Sequence, residues 1–229
     1  MTGQGRQLET IRAVLEPHGL FLRGVVNFEE REQAPPLKDG RPAASLVLVG
    51  NIGGSIWPAF RTWQRNQQDD GGPHPLDAWS KAVVGVAAQT ASATAWFPSD
   101  PPWQPFQQWA MRAEGLKASP LGILIHPQYG LWHGYRAALG FDEALPRSPK
   151  PDGAHPCAAC VEKPCMTHCP VSVVSEAGFD VTGCRRHLRT DRGRGGCLKE
   201  GCLARNACPV GRQYRYSQDQ LRFHMAALR

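Results

Sequence analysis

The cysteines of this chain are its most restrictive feature, because all eight lie in one stretch that begins at Cys157 and closes at Cys208-Pro209. They form two sets, and each set ends in a Cys-Pro pair. The spacings are Cys157-x2-Cys160-x4-Cys165-x3-Cys169-Pro170 and Cys184-x12-Cys197-x4-Cys202-x5-Cys208-Pro209. Short gaps let one loop fold around a face of an iron-sulfur cube and direct several thiolates at its irons. The pattern therefore predicts iron-sulfur ligation.

Two such sets predict two 4Fe-4S clusters with crossed ligands. In two-cluster ferredoxins, three thiolates of one set and the last thiolate of the other set hold each cluster. The resulting ligand sets are Cys157, Cys160, Cys165 and Cys208 for one cluster, and Cys184, Cys197, Cys202 and Cys169 for the other. Both sets depart from the commonest spacing, and the departure is larger in the second set, where Cys184 stands far ahead of Cys197.

Two other uses of eight cysteines compete with this interpretation. Four disulfides would suit a secreted protein, but the chain opens Met-Thr-Gly-Gln-Gly-Arg without an apolar signal segment. We therefore expect a cytoplasmic protein, where disulfides are rare. No run of eighteen apolar residues is present, so we expect no membrane span. Paired zinc sites also use Cys-x2-Cys spacing, and this alternative stays open.

The positive charge is concentrated near the cysteines. Lys and Arg number 26 against 20 Asp and Glu in the whole chain. Five of the arginines lie between Cys184 and Cys197, namely Arg185, Arg186, Arg189, Arg192 and Arg194. They predict a docking patch for an acidic electron donor or a polyanionic substrate, and the alternative is a solvated surface loop.

The rest of the chain predicts an α+β fold, because helical and extended patterns alternate. The patterns predict helices at 5–16, 55–63, 75–89, 106–113 and 217–228, and strands at 20–28, 45–49, 93–97, 122–125 and 131–139. Residues 142–156 are rich in proline and predict a linker between a domain at 1–145 and a cysteine module at 146–229. Ser217 and Gln220 have the spacing of a capping box at the start of the last helix.

One segment resembles a known family. The run from Gly122 to Arg136 contains His126-Pro127-Gln128-Tyr129-Gly130-Leu131-Trp132 and is similar to the His-Pro-x-aromatic-Gly-x-Trp-x-x-x-Arg segment of the CblC (MMACHC) family. The resemblance covers about residues 5–140 in element order, although only 126–136 is specific. It implies a modified nitroreductase-like fold that binds cobalamin without its lower base on cobalt. Epoxyqueuosine reductases and reductive dehalogenases are similar in architecture, with such a fold followed by two 4Fe-4S clusters.

The chain departs from that family in a way that shapes the expected function. A ferredoxin-like dicluster module stands where animal CblC proteins carry a C-terminal region that helps them use glutathione. We therefore expect a cobalamin-binding iron-sulfur oxidoreductase that passes electrons from the clusters to the corrinoid cobalt and removes its upper axial ligand by decyanation or dealkylation.

The expected partners follow from that function. They are a corrinoid and an electron donor such as flavodoxin, ferredoxin or a reductase, with no membrane. We do not expect nucleic acid as a partner, although tRNA is not excluded. Two alternative functions stay open. One is a cobalamin-dependent reductase of epoxyqueuosine-tRNA or an organohalide, and the other is a plain ferredoxin-type electron carrier.

The resemblance also suggests where a corrinoid would lie. His126 and Tyr129 are the expected catalytic and polar contacts, and Tyr135 is a second candidate proton donor. The further expected corrin contacts are Pro127, Gly130, Trp132, Gly134 and Trp103, with a strand-to-helix turn formed by Gly50, Asn51, Gly53, Gly54 and Ser55.

Structural roles compete at several of these positions. His126 has the alternative of a core histidine satisfied by backbone groups, and Trp132 that of a core filler. The glycines of the strand-to-helix turn have the alternative of a purely steric role. His155, His168 and His187 flank cysteines and could donate hydrogen bonds to cluster sulfur, but we predict a surface position for each.

Overall fold

A computed structural model describes residues 3–29, 32–147, 149–151 and 154–228 of the chain. Its internal contacts divide the chain into two units. The N-terminal unit comprises Met1–Gly115 and Gly134–Lys150, and the cysteine unit comprises Leu116–His133 and Pro151–Arg229. Segment 116–133 therefore packs with the cysteines, although it precedes the predicted domain boundary at 145/146, and that boundary stays a prediction. Ser148, Asp152 and Gly153 of the predicted linker lie outside the described residues.

The helices of the described chain agree with every helix that the sequence predicts. In chain order they are α1 (Gly3–Leu15), α2 (Trp57–Arg65), α3 (Pro75–Thr90), α4 (Phe106–Glu114), α5 (Pro164–Thr167), α6 (Val181–Leu188), α7 (Asp191–Gly195), α8 (Cys197–Glu200), α9 (Leu203–Ala207) and α10 (Gln218–Ala226). None of the helices in these described ranges combines the length and apolar character that a membrane crossing requires.

The strands form one larger sheet and two hairpin-like pairs. In chain order they are β1 (Phe21–Asn27), β2 (Ser45–Ile52), β3 (Thr94–Trp96), β4 (Lys117–Ala118), β5 (Leu124–Ile125), β6 (His133–Phe141), β7 (Val174–Ser175) and β8 (Gly178–Phe179). The four-stranded sheet has the order β1-β2-β6-β3, and β4-β5 and β7-β8 are separate pairs. The predicted strand at 122–125 is thus shorter than expected and joins β4 rather than the larger sheet.

The N-terminal unit is built around β2, whose residues from Ser45 to Asn51 are all buried. A strand that is covered on both faces favours such a continuous apolar run over an alternating one. Gly50 lies beside β6, because a Cβ atom there would stand 2.2 Å from the carbonyl oxygen of Gly134. The glycine is required by the packing of the two strands.

A buried ion pair lies inside the same unit. Arg23 donates from Nε and Nη2 to the two carboxylate oxygens of Glu114, each at 2.8 Å. The Tyr135 hydroxyl donates to Oε2 of the same carboxylate at 2.7 Å. Burial, followed by the negative charge of Glu114, raises the pKa of Tyr135. Tyr135, a candidate proton donor from the sequence, is therefore committed to a structural hydrogen bond and is a poorer acid than a free tyrosine.

The cysteine unit uses short helices and side-chain caps. Asp180 accepts from the backbone N–H of Gly183 at the start of α6, and Thr190 accepts from that of Gly193 at the start of α7. Ser217 accepts from the N–H of Gln220, which confirms one half of the predicted capping box. The Gln220 side chain is fully buried and has no hydrogen-bond partner among the described residues, so the reciprocal half is not formed.

Candidate functional site

Four of the cysteines line one hollow of the cysteine unit. Its volume is about 400 Å³, open solvent included. The thiols are those of Cys157, Cys160, Cys165 and Cys208. Leu121, Ile125 and Leu131 are part of its apolar wall. Residue 208 belongs to the second cysteine set in sequence, so the fold brings together the same four cysteines that the crossed pattern groups.

The other four cysteines line a second hollow of about 320 Å³, again with open solvent included. They are Cys169, Cys184, Cys197 and Cys202. His187 also lines this hollow, and its Nε2 atom is buried with no hydrogen-bond partner in the described parts of the chain. The crossing is therefore reciprocal, because Cys169 leaves the first sequence set to join the second hollow.

The eight thiols are free and are spread around the two hollows. In the described part of the chain, no three or more His, Cys, Asp or Glu side chains form a group that could hold a metal ion as the residues stand. Each quartet surrounds an apolar volume, and a cube of iron and sulfur needs thiolates around such a volume. Ligation by these cysteines stays a prediction.

Burial and mutual repulsion make these thiols weak acids in the absence of metal. Burial, and then the neighbouring thiolates of its quartet, raise the pKa of Cys157 from 9.0 to about 11. The same causes raise the pKa of Cys184 to about 11. A bound cation reverses this balance, because it favours the thiolate over the thiol.

The iron-free protein is expected to lose thermal stability as the pH rises from 9 to 11. The folded-state pKa values lie above the unfolded ones, so their stabilising contribution is present below pH 9 and disappears through the folded values. Circular dichroism melting across this range measures the effect. A Cys157→Ser, Cys184→Ser double variant serves as control, because other groups titrate there too. A loss of stability that is equal in both proteins would contradict the assignment.

His126 anchors a tight turn in the cysteine unit. Its Nδ1 atom accepts from the backbone N–H groups of Gln128 and Tyr129, at 3.0 and 3.2 Å. The backbones of His126 and Gly130 also exchange two hydrogen bonds of 2.9 Å. His126 is 6% exposed, and its ring stacks on Tyr129 with the ring centres 4.1 Å apart. The alternative of a histidine satisfied by backbone groups is therefore the one that the structure favours.

The turn packs closely on the chain that follows Cys208. Gly130 has a φ of 59°, and a Cβ atom there would stand 2.0 Å from the carbonyl oxygen of Val210. Gly211 has a φ of 67°, and a Cβ atom there would stand 2.4 Å from the carbonyl carbon of Tyr129. Two left-handed glycines thus let two backbones touch. The close approach expected of Gly130 toward a corrin is, in the structure, an approach to the Cys208-Pro209-Val210 turn.

Trp132 lies inside the cysteine unit with no exposed surface. Its ring packs edge to face on Tyr216, with centres 5.4 Å apart. The Arg205 guanidinium carbon lies 4.5 Å from the Trp132 ring centre and 4.8 Å from that of Tyr216. A cation held between two aromatic faces stabilises such a core. The structure therefore favours the alternative that Trp132 fills the core.

The expected contacts from the strand-to-helix turn are engaged within the N-terminal unit. The Asn51 side chain donates to the Gly53 carbonyl at 2.8 Å, and the Ser55 hydroxyl donates to the Gly19 carbonyl at 2.6 Å. These bonds favour the steric and structural role of the turn, which also includes Gly54. A Cβ atom at Gly134 would stand 3.2 Å from the Asn51 side-chain oxygen, so that glycine serves the same packing.

Trp103 and the three flanking histidines differ in exposure. Trp103 is 78% exposed and keeps a large apolar surface available in the N-terminal unit. His168 is exposed, as predicted, and its ring contacts the Pro164 carbonyl. His155 and His187 are only partly exposed, and the Nε2 atom of each is buried. These two histidines are therefore more buried than predicted.

Sequence reasoning missed the walls of the first hollow. The apolar patterns assigned Ile125 and Leu131 to strands and Leu121 to no element, and none of the three was predicted to line a cysteine site. Gly211 was also missed, although a glycine two positions after Cys-Pro marks a turn. Arg205 carries no local signal, because its aromatic partners are distant in sequence.

Comparison with known proteins shows the fold. No protein-family model matches the chain, and neither does any curated protein. Among solved structures the chain is similar to a C. elegans B12-trafficking protein CblC, described as a human MMACHC homologue. The identity is 14% and the TM-score 0.53, over 96% of this chain and 92% of that one. The expected CblC-like mixed fold is thus confirmed, and the likeness extends beyond the predicted domain boundary.

Proposed function

We propose that this protein binds a cobalamin and reduces it with electrons held by two 4Fe-4S clusters, so that the upper axial ligand leaves. The observation that carries the proposal is the gathering of the eight cysteines into two quartets, each around its own hollow. The CblC-like fold supports the corrinoid half of the proposal. The resemblance of segment 126–136 supports it independently.

The quartets fit iron-sulfur clusters by donor chemistry and by surroundings. Cys157, Cys160, Cys165 and Cys208 would hold one cluster, and Cys169, Cys184, Cys197 and Cys202 the other. When bound, such clusters supply single electrons at low potential. The buried Nε2 of His187 supports the second site, because Nδ1 or Nε2 of an imidazole carries a proton that a cluster sulfur can accept. The apolar side chains of the lining would lower the local polarity, which is one of the factors that tune the reduction potential.

The turn around His126 would connect these sites to the corrinoid. We assign His126 a positioning role, since its ring holds the turn that presents Tyr129. Tyr129 is partly exposed and is the better candidate for direct contact with the corrinoid. Pro127 would contribute apolar contact beside it.

The proposed reaction consumes one electron per corrinoid. Cyanocobalamin, as substrate, carries cobalt(III) bound to cyanide, and one electron gives cobalt(II) and free cyanide. The electron weakens the cobalt-carbon bond because it enters an orbital that is antibonding between cobalt and carbon. No proton is required for that step, so the protein needs to bind the substrate, exclude water and hold the donor close.

Cyanocobalamin is expected to bind the iron-loaded protein with a shift of its absorption bands. Protein that has first been reduced with dithionite and then freed of it should convert the ligand to cobalt(II) and release cyanide. Iron and cobalt analyses, spectroscopy and a cyanide assay measure the three outcomes. Iron-free protein is the control, and it should bind the corrinoid without reducing it. If the corrin absorption bands did not move, the proposal would be contradicted, and a plain ferredoxin-type electron carrier would be the remaining function.

A further inference from the structure

The arginines between Cys184 and Cys197 form an exposed basic face, which we call the arginine face. It comprises Arg185 and Arg186 at the end of α6, Arg189 after it, and Arg192 and Arg194 in α7. All five are exposed. The predicted surface position of the run is therefore confirmed.

Most of this charge is not neutralised within the protein. Arg194 forms an ion pair with Asp191 and also donates to the Arg189 carbonyl. Among the residues that the structure describes, no ion pair is recorded for Arg185, Arg186, Arg189 or Arg192. Helix formation alone would favour one or two basic residues at the end of α6, because they complement the helix dipole. The helix dipole does not explain four arginines without an ion pair.

Part of the arginine face lies on α6, which also contributes to the lining of the second hollow. Cys184 and His187 of α6 line that hollow, while Arg185 and Arg186 between them point to solvent. The first hollow has a different neighbour, since Ile125 and Leu131 beside the His126 turn form part of its wall. Within the cysteine unit the two quartets thus have distinct surroundings, one basic and exposed, the other the corrinoid-associated segment.

We propose that the arginine face docks an acidic one-electron carrier protein, and that electrons enter at the second quartet and leave from the first. The inference rests on the proposed function, since it names the partner and the entry point of the same sites. A carrier with a carboxylate-lined redox edge complements four cations and would sit nearest to Cys184. Exposed charge pairs give fast, weak and salt-sensitive association, which suits a protein that must dock, transfer and leave.

The electron balance is simple. One electron leaves the reduced carrier and enters the second site, so that the carrier is oxidised as the site is reduced. No bond is made or broken, and no proton moves. A second carrier, or a second encounter, supplies each further electron.

An RNA partner is the competing occupant and fits less well. Residues 181–196 contain no Phe, Tyr or Trp on which a base would stack. Electron transfer gives a reason for the arginine face to lie beside a cysteine quartet, whereas RNA binding gives none.

The test uses the iron-loaded full chain and a reduced flavodoxin. The Arg185→Gln, Arg186→Gln variant should accept electrons from it about tenfold more slowly at low ionic strength, because steering by charge is lost. At high salt the two rates should converge. The control variant, Arg6→Gln, Arg65→Gln, removes the same charge from exposed positions of the N-terminal unit and should match the wild type. Stopped-flow absorbance measures all rates.

The outcomes separate this inference from the proposed function. If the charge variant matches the wild type at low salt, the docking surface is wrong, while reduction of cyanocobalamin by dithionite-treated protein can still succeed. If the wild type fails to reduce cyanocobalamin, the proposed function is wrong, even if flavodoxin transfers electrons to the protein. If the charge variant loses binding to tRNA in fluorescence anisotropy and keeps its rate with flavodoxin, the arginine face is a nucleic-acid surface and the inference is overturned.

Discussion

A Cys169→Ala variant is expected to lose the same half of the iron as a Cys184→Ala variant. Cys169 follows the first sequence set but lines the second hollow, together with Cys184. Each single variant should keep about half of the wild-type iron, since a cube with three thiolates is lost on purification. The Cys169→Ala, Cys184→Ala double variant should lose no more iron than either single variant. Iron analysis and electron paramagnetic resonance of the reduced protein measure this.

The crossed arrangement is tested by a second double variant. Cys157 and Cys169 are in the same sequence set but line different hollows. A Cys157→Ala, Cys169→Ala variant should therefore lose nearly all iron and both paramagnetic signals. A Met166→Leu variant is the control, because Met166 packs beside the first quartet and leucine conserves its volume. If this double variant kept half of the iron, each sequence set would hold its own cluster and the crossed assignment would be wrong.

The cysteine quartets show what spacing alone can predict. The crossed pattern assigns Cys169 and Cys208 to sites that their neighbours in sequence do not share, and the fold brings them to the expected hollows. The grouping of the cysteines around two hollows could be anticipated because cluster ligation would restrict short loops very strongly, while ligation itself stays a prediction. The helices were predictable for a similar reason, since their apolar spacing and caps are local signals.

Segment 126–136 shows where sequence reasoning stops. Histidine is a residue type that often binds ligands, but the Nδ1 atom of His126 already accepts hydrogen bonds from two backbone N–H groups. Trp132 is packed by Tyr216 and Arg205, which follow it by more than seventy positions. Contacts between residues so distant in sequence leave no periodic signal, so a resemblance cannot distinguish a supporting residue from a contacting one.

The same argument explains the division of the chain. A linear boundary at 145/146 follows the proline-rich composition, whereas the contacts group 116–133 with the cysteines. The wall formed by Leu121, Ile125 and Leu131 gives the physical reason, because these side chains are buried against the first quartet. The segment that resembles a corrinoid-binding motif is thereby a structural part of the first cysteine site.

Gly130→Ala is expected to destabilise the protein by about 2–5 kcal/mol. A left-handed backbone costs an alanine about 1–2 kcal/mol. Overlap of its Cβ atom with the Val210 carbonyl costs a further amount of about 1–3 kcal/mol. Because Val210 follows Cys208, we expect the variant to bind less iron at the first site and to keep the second. Urea unfolding of the iron-free protein measures stability, and paramagnetic resonance after reconstitution measures each site.

Gly122→Ala is the matched control for this prediction. Gly122 also has a left-handed backbone, with a φ of 74°, but a Cβ atom there meets nothing within 4 Å. The Gly122→Ala variant should therefore lose only about 1–2 kcal/mol of stability, which is the cost of the left-handed backbone, and should keep both clusters. If Gly130→Ala behaved like Gly122→Ala, the turn would tolerate separation from the Cys208 loop. Segment 126–136 would then be independent of the first quartet, and the expected coupling of the two would be wrong.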